Sequence, residues 1–143
     1  MTEVSFHFNV ADRDVYACRM LRKATRKGAR VVVTAPVSVL TGLDRALWSF
    51  DPIEFIPHVL LRPGAVPETR LLDTPVWLAP VPVDAPHHEV LLNLGDAPPP
   101  GFESFERVIE IVTRDEPSRA SGRERWRHYA GRGYAIVKHE VAE

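Results

Sequence analysis

One cysteine, Cys18, stands in a chain of 143 residues, so no internal disulfide can form. Its neighbours at helical spacing, Val15 and Leu21, mark it as a small core thiol. A nucleophilic cysteine needs an electropositive, partly open setting with a base nearby. No apolar run approaches the roughly 20 residues that cross a bilayer. The N-terminal stretch MTEVSFHFNV lacks the basic and apolar regions of a signal peptide, and the expected location is the cytoplasm. The phosphate-binding patterns are missing too. There is no GxxxxGK(S/T), and NVADRD, where the first strand ends, carries no glycine to let backbone amides approach a phosphate. GxSxG and HExxH are absent. The six histidines show no metal-ligand spacing: His87 and His88 are adjacent and read as a solvated loop pair, and His58 has no carboxylate or thiol within local reach. The carboxylates are scattered, without a general acid and base at a defined separation.

What is present describes one α/β domain spanning residues 1–143. A chain of this length with 45% hydrophobic and 26% charged residues has the composition of an ordinary globular domain. Val4 to Val10 alternates as a strand. Asp14 to Lys27 carries the apolar stripe Val15, Cys18, Leu21 and Ala24, with Gly28 placed to end a helix. Ala29 to Ala35, ARVVVTA, reads as a strand covered on both faces. A second helix over Ser38 to Phe50 stops before Pro52. Nine of the thirteen prolines lie between Pro63 and Pro100, a segment that still contains the strand-like runs VWLAPV (76–81) and EVLLNLG (89–95). A helical turn at Phe102 to Phe105 precedes the strand VIEIV (108–112). Arg119 to Ala130 is the last helix, started by Pro117 and Ser118 and stopped by Gly131 or Gly133, before a final strand from Tyr134 to His139. Strands alternating with helices predict a mostly parallel sheet with helices on both faces, a single three-layer domain.

The positive signal is charge segregation. From Asp84 to Glu116 there are eight acidic and two basic residues, whereas Arg119 to Arg132 holds five arginines and one glutamate. On a helix Arg119, Arg123, Trp126, Arg127 and Ala130 share one stripe, with an indole among guanidinium groups. One reading is a solvated basic face with Trp126 turned into the core. The other is a receptor for an acidic, partly hydrophobic peptide or a C-terminal carboxylate, since arginine clamps carboxylates bidentately while a ring offers apolar area. A single stripe on a chain of net charge −1 is a small footprint for duplex nucleic acid. A second feature is LDRALWSFDPIEFIPH (43–58), where Trp48, Phe50, Phe55 and Ile56 surround a helix exit. They either cap the core or form an apolar patch for a protein partner.

The order of strand, helix and KGxRVxV strand, then LDRALWSF-x-PIEFIPH, then RERWRHY with a glycine and a final strand, resembles the chi subunit of bacterial DNA polymerase III holoenzyme over nearly the whole chain. The resemblance implies a nucleotide-binding-like α/β fold without the phosphate loop, no catalytic site, no cofactor and no metal. It also implies two protein partners and neither strong direct nucleic-acid binding nor membrane attachment. One partner is a psi-like subunit of the clamp loader, met near Trp48, Phe55 and Pro57. The other is the acidic C-terminal tail of single-stranded DNA-binding protein (SSB), met by Arg119, Arg123, Trp126 and Arg127 with Val112 alongside. This chain departs from the familiar pattern in carrying Trp126 for a tyrosine and Arg119 and Arg127 for lysines. The alternative function is a small α/β enzyme or nucleotide-binding domain, whose pocket would lie at the C-terminal ends of the strands.

Overall fold

The computed structural model describes residues 1–142. Among these residues seven strands and three α-helices follow in order: β1 (Glu3–Val10), α1 (Arg13–Arg26), β2 (Val31–Thr34), α2 (Val37–Ser49), β3 (His58–Leu60), β4 (Val76–Leu78), β5 (Val90–Asn93), β6 (Arg107–Thr113), α3 (Glu116–Gly131) and β7 (Ile136–Glu140). Three short 3-10 turns, Thr69–Leu71, Pro82–Asp84 and Phe102–Ser104, lie between them, the last where the helical turn was expected. The strands form one sheet in the order β3-β4-β2-β5-β6-β1-β7, and every pairing is parallel. Parallel neighbours need crossovers, and those crossovers place the helices on the two faces of the sheet.

Alternation along the strands divides the core in two. Val31 and Val33 of β2, Leu92 of β5 and Ile109 and Ile111 of β6 pack with Cys18 and Leu21 of α1 and Leu40, Leu43 and Leu47 of α2. Val4 and Phe6 of β1, Val32, Leu91, Val108 and Val112 face the other way, toward Tyr129 and Trp126 of α3 and the rings of Phe102 and Phe105. All four β2 residues are buried, as a central strand covered on both faces requires.

Local signals set the helix ends. Asp12 accepts the Val15 N–H at 3.0 Å to cap α1, basic Lys23 and Arg26 fill its last turn, and Gly28 follows at φ 78°. Of the expected apolar stripe, Cys18 and Leu21 are buried while Val15 is exposed. α3 begins earlier than Arg119, because the Asp115 carboxylate accepts the Ser118 N–H at 3.1 Å and caps the helix ahead of Pro117. β7 begins later than Tyr134, because the Tyr134 N–H still bonds the Tyr129 carbonyl at 3.1 Å, closing the end of α3.

Three further features depart from the sequence reading. The short edge strand β3 was not expected, since its three residues sit in a proline-bounded segment and become a strand only by pairing with β4. His87 is buried rather than solvated, and burial holds its pKa below the usual histidine value. Its neighbour His88 stacks on Phe105 at 4.5 Å. His58 does have a carboxylate, since its Nε2 lies 3.1 Å from Asp44 Oδ1, brought there by the turn from α2 into β3. Cys18 is buried, and burial pushes its thiol pKa up to about 11.

Candidate functional site

A cavity of about 630 Å³ opens between α3 and the β1, β6 and β7 strands. Its apolar surface comes from Phe6 and Phe8 on β1, Val112 on β6 and Trp126 on α3; Arg114, Arg119, Arg123 and Lys138 supply positive charge, with Glu140 the one carboxylate among the lining residues. Phe6 and Phe8, two apart on one strand, share a face. The Phe6 and Trp126 rings lie 5.2 Å apart, and Lys138 Nζ sits 5.8 Å from the Trp126 ring centre, within cation–π range. Trp126 is therefore neither wholly core nor wholly solvated. It is half-buried, packed on Phe6 and lining the cavity.

The helix can approach the sheet this closely because residue 122 is glycine. A Cβ there would lie 2.7 Å from Val112 Cγ2, inside van der Waals contact, and both residues line the cavity. Beneath the same helix, a buried polar cluster ties α3 to β6. Glu110 Oε1 accepts from Arg125 Nε at 2.9 Å, Oε2 accepts from the Tyr129 hydroxyl at 2.7 Å, and Asn93 Nδ2 donates to both oxygens at 3.1 and 3.0 Å. Burial pushes the Glu110 carboxyl up, while three surrounding donor groups favour its charged form. Burial, together with the adjacent carboxylate, also raises the Tyr129 pKa, keeping its hydroxyl a donor.

On the opposite wall, Asn9 adopts φ 64°, the one positive value among described non-glycine residues, where the β1 register shifts. Its Nδ2 donates to the Val141 carbonyl at 3.0 Å, and its Oδ1 accepts from Arg114 Nε at 3.1 Å. A short polar side chain tolerates this conformation, and here it ties the end of β1 to Arg114 beside the cavity.

Of the residues singled out in the sequence, the fold brings Val112, Arg119, Arg123 and Trp126 together around this cavity. Arg127 lies outside the lining and pairs with Glu124 at 2.6 Å. Each four-residue step overshoots a helical turn by about 40°, so Arg127 sits roughly 80° around α3 from Arg119. The sequence reading missed Phe6, Phe8, Arg114 and Lys138. Only the paired phenylalanines of VSFHFNV carried a local signal.

The second named surface lies elsewhere, at the exit of α2. Trp48 is 62% exposed and Phe55 50% exposed, and their ring centres are 5.0 Å apart. Pro57 is also exposed. Buried His58 supports both rings, at 5.2 Å from Trp48 and 5.7 Å from Phe55. The loop between is pinned to α1 by Arg22–Asp51 at 3.3 Å and Arg26–Glu54 at 2.5 Å.

At the C-terminal ends of β5 and β6 a further cavity is lined by Asp12, Asp14, Asp96, Asp115 and Glu124, with Arg13 and Arg125. This is where open parallel sheets bind nucleotides. Here, however, the Asp12 and Asp115 carboxylates already occupy the N-termini of α1 and α3, which repels phosphate where amides would otherwise attract it.

A DNA polymerase III chi subunit (HolC) family model matches residues 1–137. The chain belongs to that family. A relative from Pseudomonas aeruginosa PAO1, named DNA polymerase III subunit chi, is 32% identical over 146 aligned positions covering 99% of this chain and 98% of its own. Another of that name, from Haemophilus influenzae Rd, is 26% identical over 129 positions, covering 87% of this chain and 85% of its own. The sheet of this chi-family chain is parallel in every described pairing, and no described helix is long and apolar enough to cross a membrane.

Proposed function

We propose that this chi-family chain is a non-catalytic adaptor of the replicative polymerase, acting in the cytoplasm. It joins a psi-like clamp-loader subunit to the acidic C-terminal tail of SSB. The observation that carries the reading is the cavity beside α3, where guanidinium groups of Arg119 and Arg123 flank a floor of Phe6, Val112 and Trp126. An acidic peptide ending in a hydrophobic residue matches both parts: its carboxylates meet arginine and its terminal side chain meets the aromatic floor. Arg127, just outside, adds positive charge to the same helix. The exposed Trp48, Phe55 and Pro57 surface is the psi-facing side, well separated in sequence and place from the tail site. Aromatic groups held in fixed orientation are favourable anchors for a protein interface.

The test is a titration of a fluorescent SSB-tail peptide into wild type and Arg123→Ala. Charge-assisted hydrogen bonds contribute about 1.5–3 kcal/mol, so the substitution weakens binding roughly 10- to 100-fold, while the melting temperature stays near that of wild type. Added salt weakens the wild-type complex. Equal affinities for the two proteins would refute the tail-receptor assignment.

A further inference from the structure

Of the three cavity arginines, Arg119 and Arg123 are already engaged by a carboxylate of their own helix. Glu116 opens α3, immediately after the Asp115 cap, and its side chain reaches forward along the helix. Its Oε1 lies 2.7 Å from Arg123 Nη2, and its Oε2 lies 4.0 Å from Arg119 Nη1. Among the described residues, these are the ion pairs of Arg119 and Arg123. The Arg123 contact holds the Glu116 carboxyl below the usual carboxylate range, so the group is charged at neutral pH. It is also exposed, and these arginines are the only side chains it pairs with in the described structure. It can therefore swing away without uncovering a buried group.

We propose that Glu116 is an internal competitor for the peptide site, a carboxylate of the chain itself seated on the guanidinium groups that receive the ligand's carboxylate. This rests on the tail-receptor reading above. In the free protein Glu116 relieves repulsion between Arg119 and Arg123 and keeps both at the cavity rim. On binding, one carboxylate replaces another. Part of the ligand's electrostatic gain is offset by loss of the internal pair, which tempers affinity and makes the exchange readily reversible. The same competition selects against ligands bearing a single weak anionic contact, because only a ligand that also fills the Phe6, Val112 and Trp126 floor gains more than Glu116 already provides.

The experiment is the titration of a fluorescent SSB-tail peptide into wild type, Glu116→Gln, Glu124→Gln and the Glu116→Gln/Arg123→Ala pair, beside Arg123→Ala alone. Glu124→Gln removes the same charge from the same helix at a position paired with Arg127, and so reports the general field of the helix. Exposed ion pairs are weak, so Glu116→Gln should tighten binding about two- to fivefold, with a clearly smaller effect from Glu124→Gln. In the Arg123→Ala background the gain should shrink toward onefold. If wild type binds but Glu116→Gln binds equally or more weakly, or gains no more than Glu124→Gln, the competitor assignment is overturned and the tail receptor stands. If wild type does not bind the peptide, both are overturned.

Discussion

Replacing Glu110 with alanine tests whether α3 is anchored by a buried charge. The Glu110 side chain is wholly inaccessible, and that of Arg125 is 4% exposed. Glu110→Ala removes the acceptor for Arg125 Nε, the Tyr129 hydroxyl and the Asn93 amide together. Among the described residues Arg125 then keeps Ser121 and the Ile111 carbonyl as hydrogen-bond partners, neither of which neutralises a guanidinium. Removing one partner of a buried ion pair costs about 3–5 kcal/mol, because the remaining charge is left uncompensated. For a chain of this length that corresponds to a fall in melting temperature on the order of 10–20 °C. Thermal unfolding followed by circular dichroism, with denaturant titration as a second probe, measures it. The decisive comparison is Glu110→Leu/Arg125→Met, which removes both charges and should recover most of the loss, since buried pairs exchanged for apolar groups are often near neutral. A loss under about 1 kcal/mol in Glu110→Ala, or a double variant as unstable as the single, would refute the reasoning. Arg125 and Tyr129 share α3 with Arg119, Arg123 and Trp126, so the destabilised variant should also bind the tail peptide less tightly.

Gly122→Ala gains about 1 kcal/mol of helix propensity but forces a methyl against Val112, an overpacking cost of roughly 1–3 kcal/mol. Stability should change little or fall by up to about 2 kcal/mol, while peptide affinity drops severalfold in the same fluorescence titration because α3 is pushed off the cavity floor. Phe55→Asp places a charge in the exposed α2-exit patch; co-purification of the clamp-loader partner should be lost, with tail binding and melting temperature retained. Cys18 should not react with a thiol reagent at pH 7.5 in the native protein, given its burial and a pKa near 11, and should react once the chain is unfolded in urea. His7 is held down to about 4 by burial, with His139 and Arg107 adding to it. The unfolded state therefore binds a proton below about pH 6.5 that the folded state refuses until about 4. Stability attributable to His7 is full above pH 7 and is lost as pH falls through that window, the upper part of which lies above the range in which ordinary carboxylates titrate. Urea unfolding at pH 7.5 and pH 5 should show the fall in wild type and a smaller one in His7→Gln.

Much of the scaffold was legible because short-range physics specifies it. The valine run of β2 signals a strand buried on both faces wherever it is placed, and acidic Asp14 in the first turn, the basic last turn and Gly28 at positive φ delimit α1 through the helix dipole and local backbone conformation, which need no tertiary partner. The missing glycines after β1 likewise speak against a phosphate site, and the reversal of charge at α3 marks the helix that borders the cavity. Strand order was not legible, because it depends on which crossovers pack, nor was β3, which is a strand only through β4. The site itself needed the fold. Arg123 and Arg125 are the same residue type two positions apart, yet one rims the cavity and the other is buried on Glu110. Helix composition is identical in either phase; only the sheet beneath decides which face turns inward. Phe6 and Lys138 meet Trp126 from opposite ends of the chain, a juxtaposition made by the parallel pairing of β1 with β7 and invisible to any local pattern.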